Sequence, residues 1–202
     1  MGRFRTIIDA SYEQRPTTTR RWEKTLELLP KLDRAGRVLD LGDRTRLTEL
    51  LEKKWKCQIT NSNGDLDIIE FYGEYDVVTS FEVIEHLFNP LYNLLQVRKV
   101  LKPGGRLFLT TPLGKPYFLW SPQHFHEMHW ERLASLLERA GYQILPSDAL
   151  EFLWHLGTFQ CDSQLLHKFR SRICEINKLS VFLQVRVEIT YQRRLTSGGV
   201  FE

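Results

Sequence analysis

Tyr75-Asp-Val-Val-Thr-Ser-Phe-Glu-Val-Ile-Glu-His-Leu87 decides the reading of this chain. The apolar run after Asp76 reads as a buried strand, and it turns into an acidic-histidine segment at Phe81-Glu-Val-Ile-Glu-His-Leu87. Pro90 then opens a helix whose apolar positions are Leu91, Leu94, Leu95 and Val97. That helix closes near Leu101, and Lys102-Pro-Gly-Gly105 supplies a stop and a turn into a strand over Arg106-Leu-Phe-Leu-Thr110. Strand, helix, turn and strand in this order make one parallel crossover unit.

Upstream, Arg37-Val-Leu-Asp-Leu-Gly42 reads as the first strand, ending in the Asp-x-Gly with which a strand enters a nucleotide-binding turn. Leu47, Leu50 and Leu51 follow at helical spacing. Cys57-Gln-Ile-Thr60 is the second strand, ending in Asn61-Ser-Asn-Gly64. Only thirteen positions separate Asn63 from Asp76, and a parallel crossover alone needs about a dozen. Asp65-Leu-Asp-Ile-Ile-Glu-Phe71 has room for one short helix or one short strand, so the outer strand on this side is expected to be absent or vestigial. Pro16 with Thr17-Thr-Thr19 starts an earlier helix, with Trp22, Leu26, Leu28 and Leu29 on its apolar face.

Downstream, a long loop runs from Pro112 to about Met128, and Trp130, Leu133, Leu136 and Leu137 mark a helix ended by Gly141. Tyr142–Leu145 reads as a strand, Gln164–Asn177 as a helix and Val185–Tyr191 as an alternating final strand. Strands alternating with helices predict an α/β fold, Rossmann-like, doubly wound and mostly parallel. The expected organisation is a single domain over 1–202. It has an N-terminal helical segment (1–35), an α/β core (36–195) and a tail (196–202).

Composition narrows the class. A 42% hydrophobic share is ordinary for a globular chain, and no stretch has the apolar length of a membrane span. The start, Met-Gly-Arg-Phe-Arg-Thr6, carries no apolar signal core, so a cytoplasmic location is expected. Cys57, Cys161 and Cys174 are widely separated, without metal-ligand spacing, and read as reduced thiols. A net charge of +3 does not favour nucleic acid as the partner. The arginine groups at Arg15, Arg20 and Arg21, and at Arg170, Arg172, Arg186, Arg193 and Arg194, read as solvated faces.

The stretch from Tyr75 to Leu87 and that from Arg98 to Pro112 resemble strands four and five of class I S-adenosylmethionine-dependent methyltransferases. The resemblance covers roughly residues 35–145. It implies S-adenosylmethionine as cofactor, lying across the carboxyl ends of the strands. The family's first motif is Asp-x-Gly-x-Gly-x-Gly; Asp40 and Gly42 match it, and Arg44 and Arg46 stand where the later glycines belong. Asn63 takes the place of the acidic residue that holds the ribose hydroxyls, with Asp65 two positions on. Thr79, Ser80, Phe81 and Glu82 are expected to line the far wall.

Glu82, Glu85 and His86 form Glu-x-x-Glu-His at the mouth of this cleft. The turn shapes the pocket in the general family, and His86 is a candidate general base. The same pattern resembles the magnesium-dependent small-RNA 2′-O-methyltransferases, in which a loop histidine completes a metal site; His124 and His126 lie in that region here. The aromatic loop also offers Tyr117, Phe118 and Trp120 as stacking platforms, and Glu127 as a polar group. A purely structural reading has the aromatics covering the sheet edge and the histidines capping the next helix.

Two function classes follow. One is methyl transfer to an oxygen or nitrogen of a small-molecule or glycan acceptor, with His86, His124 or His126 deprotonating it and no resident metal. The other is a methyltransferase fold kept as a binding or assembly subunit, for which Arg44, Arg46, Asn63 and the shortened segment before Asp76 argue. The metal-dependent RNA 2′-O-methyltransferase is a third, less favoured reading.

Overall fold

The computed structural model describes residues 10–33, 35–112, 114, 121–144, 149–153 and 181–188. A short helix α1 (Ala10–Gln14) precedes α2 (Pro16–Leu28), which has Pro16 in its first turn, where a missing N–H costs nothing. Then come β1 (Val38–Asp40), α3 (Arg46–Trp55), β2 (Ile59–Asn61) and β3 (Tyr75–Phe81). After a 3₁₀ turn at Ile84–His86 follow α4 (Pro90–Val100), β4 (Leu101–Pro112), α5 (Trp130–Arg139), β5 (Ala149–Leu153) and β6 (Val181–Glu188).

The six strands form one sheet in the order β2-β1-β3-β4-β6-β5. The first four are parallel, β6 runs antiparallel to β4, and β5 antiparallel to β6. Strand order reverses beside β1, which puts a cleft at the carboxyl ends of β1 and β3. Side chains alternate across the sheet and build two cores. Leu39, Val78, Leu107 and Leu109 pack with Leu94 and Val97 of α4 and Leu133 and Leu137 of α5. Val38, Val77 and Phe108 pack on the other face with Trp22 of α2 and Leu51 and Trp55 of α3. Coverage on both faces is why β3 is buried at consecutive positions from Val77 to Ser80.

The segment between β2 and β3 holds no strand: Leu66–Ile68 form a turn closed by Ile69 N–H on the Asp65 carbonyl at 2.9 Å. Among the described residues β2 is therefore the sheet edge, and the expected loss of the outer strand holds. Glu52 covers part of that edge, because its Oε1 accepts the Ile59 N–H at 2.9 Å.

The strand expected at Tyr142–Leu145 is corrected: residues 142–144 are irregular and the strand starts at Ala149. Gly141 has φ +82, and Tyr142 N–H bonds back to Leu137 O at 3.0 Å. The Tyr142 hydroxyl then donates to Leu94 O at 2.7 Å, so the chain wraps round the end of α5 and is anchored on α4. The final strand begins at Val181, four positions earlier than expected. The helix expected at 164–177 and the tail at 196–202 lie outside the described residues. No helix among the described residues is long and apolar enough to cross a membrane.

Candidate functional site

Asp40 ends β1 and is the hub of the cleft floor. Its Oδ1 accepts from Thr79 Oγ1 at 2.6 Å, and its Oδ2 from Thr48 Oγ1 at 2.7 Å and Asn61 Nδ2 at 3.2 Å. One buried carboxylate thus ties β1 to β2, β3 and α3. Burial raises its pKa, and the three donors pull against that rise. Asp40 and Thr79 therefore fix the strand ends, with their polar side-chain atoms engaged on each other. Ser80 is buried beside them, and Phe81 packs partly into the Trp22–Phe108 core.

The loop after β1 presents the open surface. Gly42 has φ +103, and a Cβ built on it meets nothing within 4 Å, so the space above it is clear. Its N–H donates to Ser62 Oγ at 2.7 Å. Asn63 is exposed one residue on, past the end of β2. Arg44 leaves the pocket: its guanidinium is bidentate on Glu52, at 3.2 and 2.5 Å. Thr45 and Thr48 form a reciprocal cap at the start of α3. The Arg46 N–H, next in that turn, donates to Glu13 Oε1 of α1 at 3.1 Å.

The far wall is the acidic-histidine turn. Glu82 sits at φ +55, a left-handed conformation that is strained for a residue with a side chain. Its Oε2 pairs with Arg21 Nη1 at 3.2 Å, and its Oε1 is buried without a partner among the described residues. Glu85 is 1% exposed; its Oε2 accepts from Thr111 Oγ1 at 3.2 Å, and its Oε1 is likewise without a hydrogen-bond partner among the described residues. Burial first, and the Glu82 charge second, push the Glu85 carboxyl well above the usual range.

The two histidines face each other edge to face, with ring centroids 4.7 Å apart. His86 Nδ1–H donates to the Gln123 carbonyl at 2.9 Å, which leaves Nε2 as the bare nitrogen of the neutral ring, 4.0 Å from Glu85 Oε1. Burial lowers the His86 pKa. His124 Nδ1 is 2.5 Å from Glu127 Oε1 and is held by it as a donor. His126 instead turns its Nε2 to the Phe88 carbonyl at 3.3 Å. The loop is fastened to the turn by Phe125 N–H and His126 N–H on the Glu85 carbonyl, at 2.7 and 3.2 Å. The structure thus brings His86 and His124 together, holds His126 to one side, and uses none of the three to cap α5. One candidate ligand atom from each of Glu85, His86 and His124 lies within 4.8 Å of the others, a spacing that suits one divalent cation. Tyr117, Phe118 and Trp120 lie outside the described residues.

Sequence reading missed Arg21. It was expected on a solvated face, but it is partly buried, bonded to Glu82 and to the Tyr12 hydroxyl. Burial lowers its pKa, and Glu82, Tyr12 and Glu85 more than offset that, so it stays charged. No local signal marks it, since Glu82 is 61 positions away. Thr111 and Ser62 were missed for the same reason.

A family model described as a methyltransferase domain matches residues 12–156, most of the chain. The chain belongs to the methyltransferase domain family. A probable S-adenosylmethionine-dependent methyltransferase of Mycolicibacterium smegmatis is 33% identical over 95 residues, covering 44% of this chain and 36% of that protein. A ubiquinone biosynthesis O-methyltransferase of Marinobacter nauticus is 33% identical over 93 residues, covering 44% and 37%. The chain thus spans little more than a third of the length of these relatives. Among solved structures, the Burkholderia thailandensis 1,6-didemethyltoxoflavin-N1-methyltransferase, with 1,6-didemethyltoxoflavin and S-adenosylhomocysteine bound, superposes with a TM-score of 0.56. It is 14% identical, with 90% of this chain and 85% of that one covered. That likeness shows the shared Rossmann-like fold.

Membership makes S-adenosylmethionine the cofactor, and the residues present fit it. The space over Gly42 is open, Asn63 is exposed beside it, and Glu82 Oε1 and Thr110 Oγ1 are buried acceptors without partners among the described residues.

Proposed function

We propose that this domain methylates a hydroxyl oxygen of a small-molecule acceptor, with His86 as the base. The observation that carries this reading is the His86 ring: its Nδ1–H is committed to the Gln123 carbonyl, so the neutral ring offers a bare Nε2 in the wall where β3 ends. Burial keeps that nitrogen unprotonated at neutral pH. Bound S-adenosylmethionine supplies an electrophilic methyl group on sulfur. Asp40, through Thr48, Asn61 and Thr79, holds the strand ends in register, and Gly42 and Asn63 leave room for the nucleoside and its ribose. Arg21 fixes Glu82 along the wall through their 3.2 Å ion pair. His86 Nε2 would take the proton of the acceptor hydroxyl, the methyl–sulfur bond breaking as the methyl–oxygen bond forms, and most of the acceleration would come from alignment. The Marinobacter relative is an O-methyltransferase, which supports oxygen over nitrogen.

The outward course of Arg44 supports the enzyme over a binding-only subunit, because the side chain that argued for a blocked pocket is spent on Glu52. A second reading is favoured by the Glu85, His86 and His124 cluster: a divalent cation there would bind the acceptor oxygen and lower its pKa in place of a free base. Methyl-labelled S-adenosylmethionine offered with phenols, sugars and amines tests the proposal. Label on oxygen, lost in His86→Asn while S-adenosylhomocysteine still binds, is expected. Label on amines alone, or an undiminished His86→Asn rate, overturns it. Loss of rate in chelator, restored by magnesium or zinc, would select the metal-assisted form.

A further inference from the structure

The turn that carries His86 and the loop that carries His124 meet through two pairs of rings. The histidines stand edge to face with centroids 4.7 Å apart, and Phe88 stacks on Phe125 with centroids 4.3 Å apart and planes tilted by 30°. Leu87 joins His86 to Phe88 in extended backbone, at φ −80 and ψ 144, and is itself buried. Side chains alternate along extended backbone, so His86 and Phe88 project to the same side, away from the core. Their Cα atoms are no more than about 7 Å apart, the span of one aromatic ring with its hydroxyl.

The phenylalanines are not spent on the fold. Phe88 is 58% exposed and Phe125 50%, and neither belongs to the two cores on the sheet. The loop is fastened without them: the Phe125 and His126 N–H groups bond the Glu85 carbonyl, His126 Nε2 the Phe88 carbonyl, and His86 Nδ1 the Gln123 carbonyl. Two stacked rings held half in water beside a reactive nitrogen form an apolar contact surface for a flat ligand. The polar groups named here, with His124 Nδ1 on Glu127 Oε1, are engaged across the turn and the loop. The surface beside the bare His86 Nε2 is therefore ring. A sugar would bring several hydroxyls that lose water there without partners, whereas a phenol brings one hydroxyl for Nε2 and a ring for the stack.

Resting on methyl transfer to an acceptor hydroxyl at His86, we propose that Phe88 and Phe125 are the platform on which the acceptor's ring lies, so that the acceptor is phenolic and not a saccharide. The two residues set specificity; they take no part in the bond-making.

The test compares wild type with Phe88→Ala, Phe125→Ala, Phe88→Tyr and Phe125→Tyr. Methyl-labelled S-adenosylmethionine is offered with 2-naphthol and with methyl glucoside, and 2-naphthol binding is followed separately by saturation-transfer NMR in the presence of S-adenosylhomocysteine. Label is expected on naphthol and not on the glucoside. Each alanine variant should raise KM for naphthol roughly threefold to tenfold with kcat kept, and the tyrosine variants, which retain the ring, should restore it. Unchanged KM in both alanine variants, failure of the tyrosine variants to restore it, or a glucoside methylated in preference to naphthol overturns the platform. So does failure of wild type to bind naphthol, whatever the fate of the methyl group. Naphthol bound by wild type and lost in the alanine variants, with no acceptor labelled, would sink the transfer reading while the aromatic site stands.

Discussion

Thr79→Val removes one donor from the buried Asp40 carboxylate at nearly constant volume. Thr79 is fully buried, and its hydroxyl lies 2.6 Å from Asp40 Oδ1. A hydrogen bond to a charged, buried acceptor contributes about 1.5–3 kcal/mol. In a chain of this length that corresponds to a Tm lower by roughly 3–12 °C. The loss depends on pH. Burial already lifts the folded-state pKa of Asp40 above its unfolded value, so its ionisation opposes folding. Stability from this group is complete below the unfolded value of about 3.9 and is lost as pH rises through the folded value. Removing Thr79 raises the folded value further, so the deficit against wild type is largest at pH 7 and narrows toward pH 4. Thr110→Val is the control: that hydroxyl is also buried but has no partner among the described residues, so its loss should leave stability unchanged or raise it. Urea unfolding of both variants at pH 7 and pH 4 decides the matter. A deficit that is flat with pH, or equal in the two variants, refutes the hub.

Arg44→Ala should leave S-adenosylhomocysteine affinity within about twofold of wild type, because Arg44 is spent on Glu52 outside the pocket; a tenfold loss, about 1.4 kcal/mol, would put it inside. His86→Asn should lower kcat/KM by roughly 10²–10⁴-fold with ligand binding kept, and nearly full activity would remove His86 as the base. Because burial lowers the His86 pKa, the acid limb of the wild-type kcat/KM profile should fall below about pH 6.5, and a limb above that value contradicts the assignment. Gly36→Ala should destabilise by at least about 1–2 kcal/mol. Gly36 has φ +67, and an added Cβ would lie 2.2 Å from Asp76 Oδ2, which holds Arg37 N–H and Lys102 Nζ. An unchanged urea midpoint would show that the turn relaxes.

The centre of the sheet was legible because its residues carry local signals. Val77 to Ser80 are buried and read as a strand, and Pro90 marks a helix start; Lys102-Pro-Gly-Gly105, expected as a turn before the strand, lies inside β4 at its register shift against β3, where Gly105 passes 2.8 Å, measured to an added Cβ, from Lys102 O. The missing outer strand was legible by chain length alone. The strand expected at Tyr142–Leu145 misled because Tyr142 serves the end of α5 and not the sheet; the deciding contact, Tyr142 to Leu94, spans 48 positions. The site was legible in residue type and less so in role. Asp40 and Thr79 match the cofactor motif and wall, yet their polar atoms are turned to each other. The direction of Arg44 depends on Glu52, and the burial of Arg21 depends on Glu82, neither a neighbour in sequence.

Whether a loop with Arg44 and Arg46 in place of glycines still holds S-adenosylmethionine bears on everything above. Calorimetric titration of the domain with S-adenosylhomocysteine measures this directly. One-to-one binding in the micromolar range is predicted, since Gly42 stays open and Arg44 points away. No binding at millimolar ligand would contradict the account at its centre.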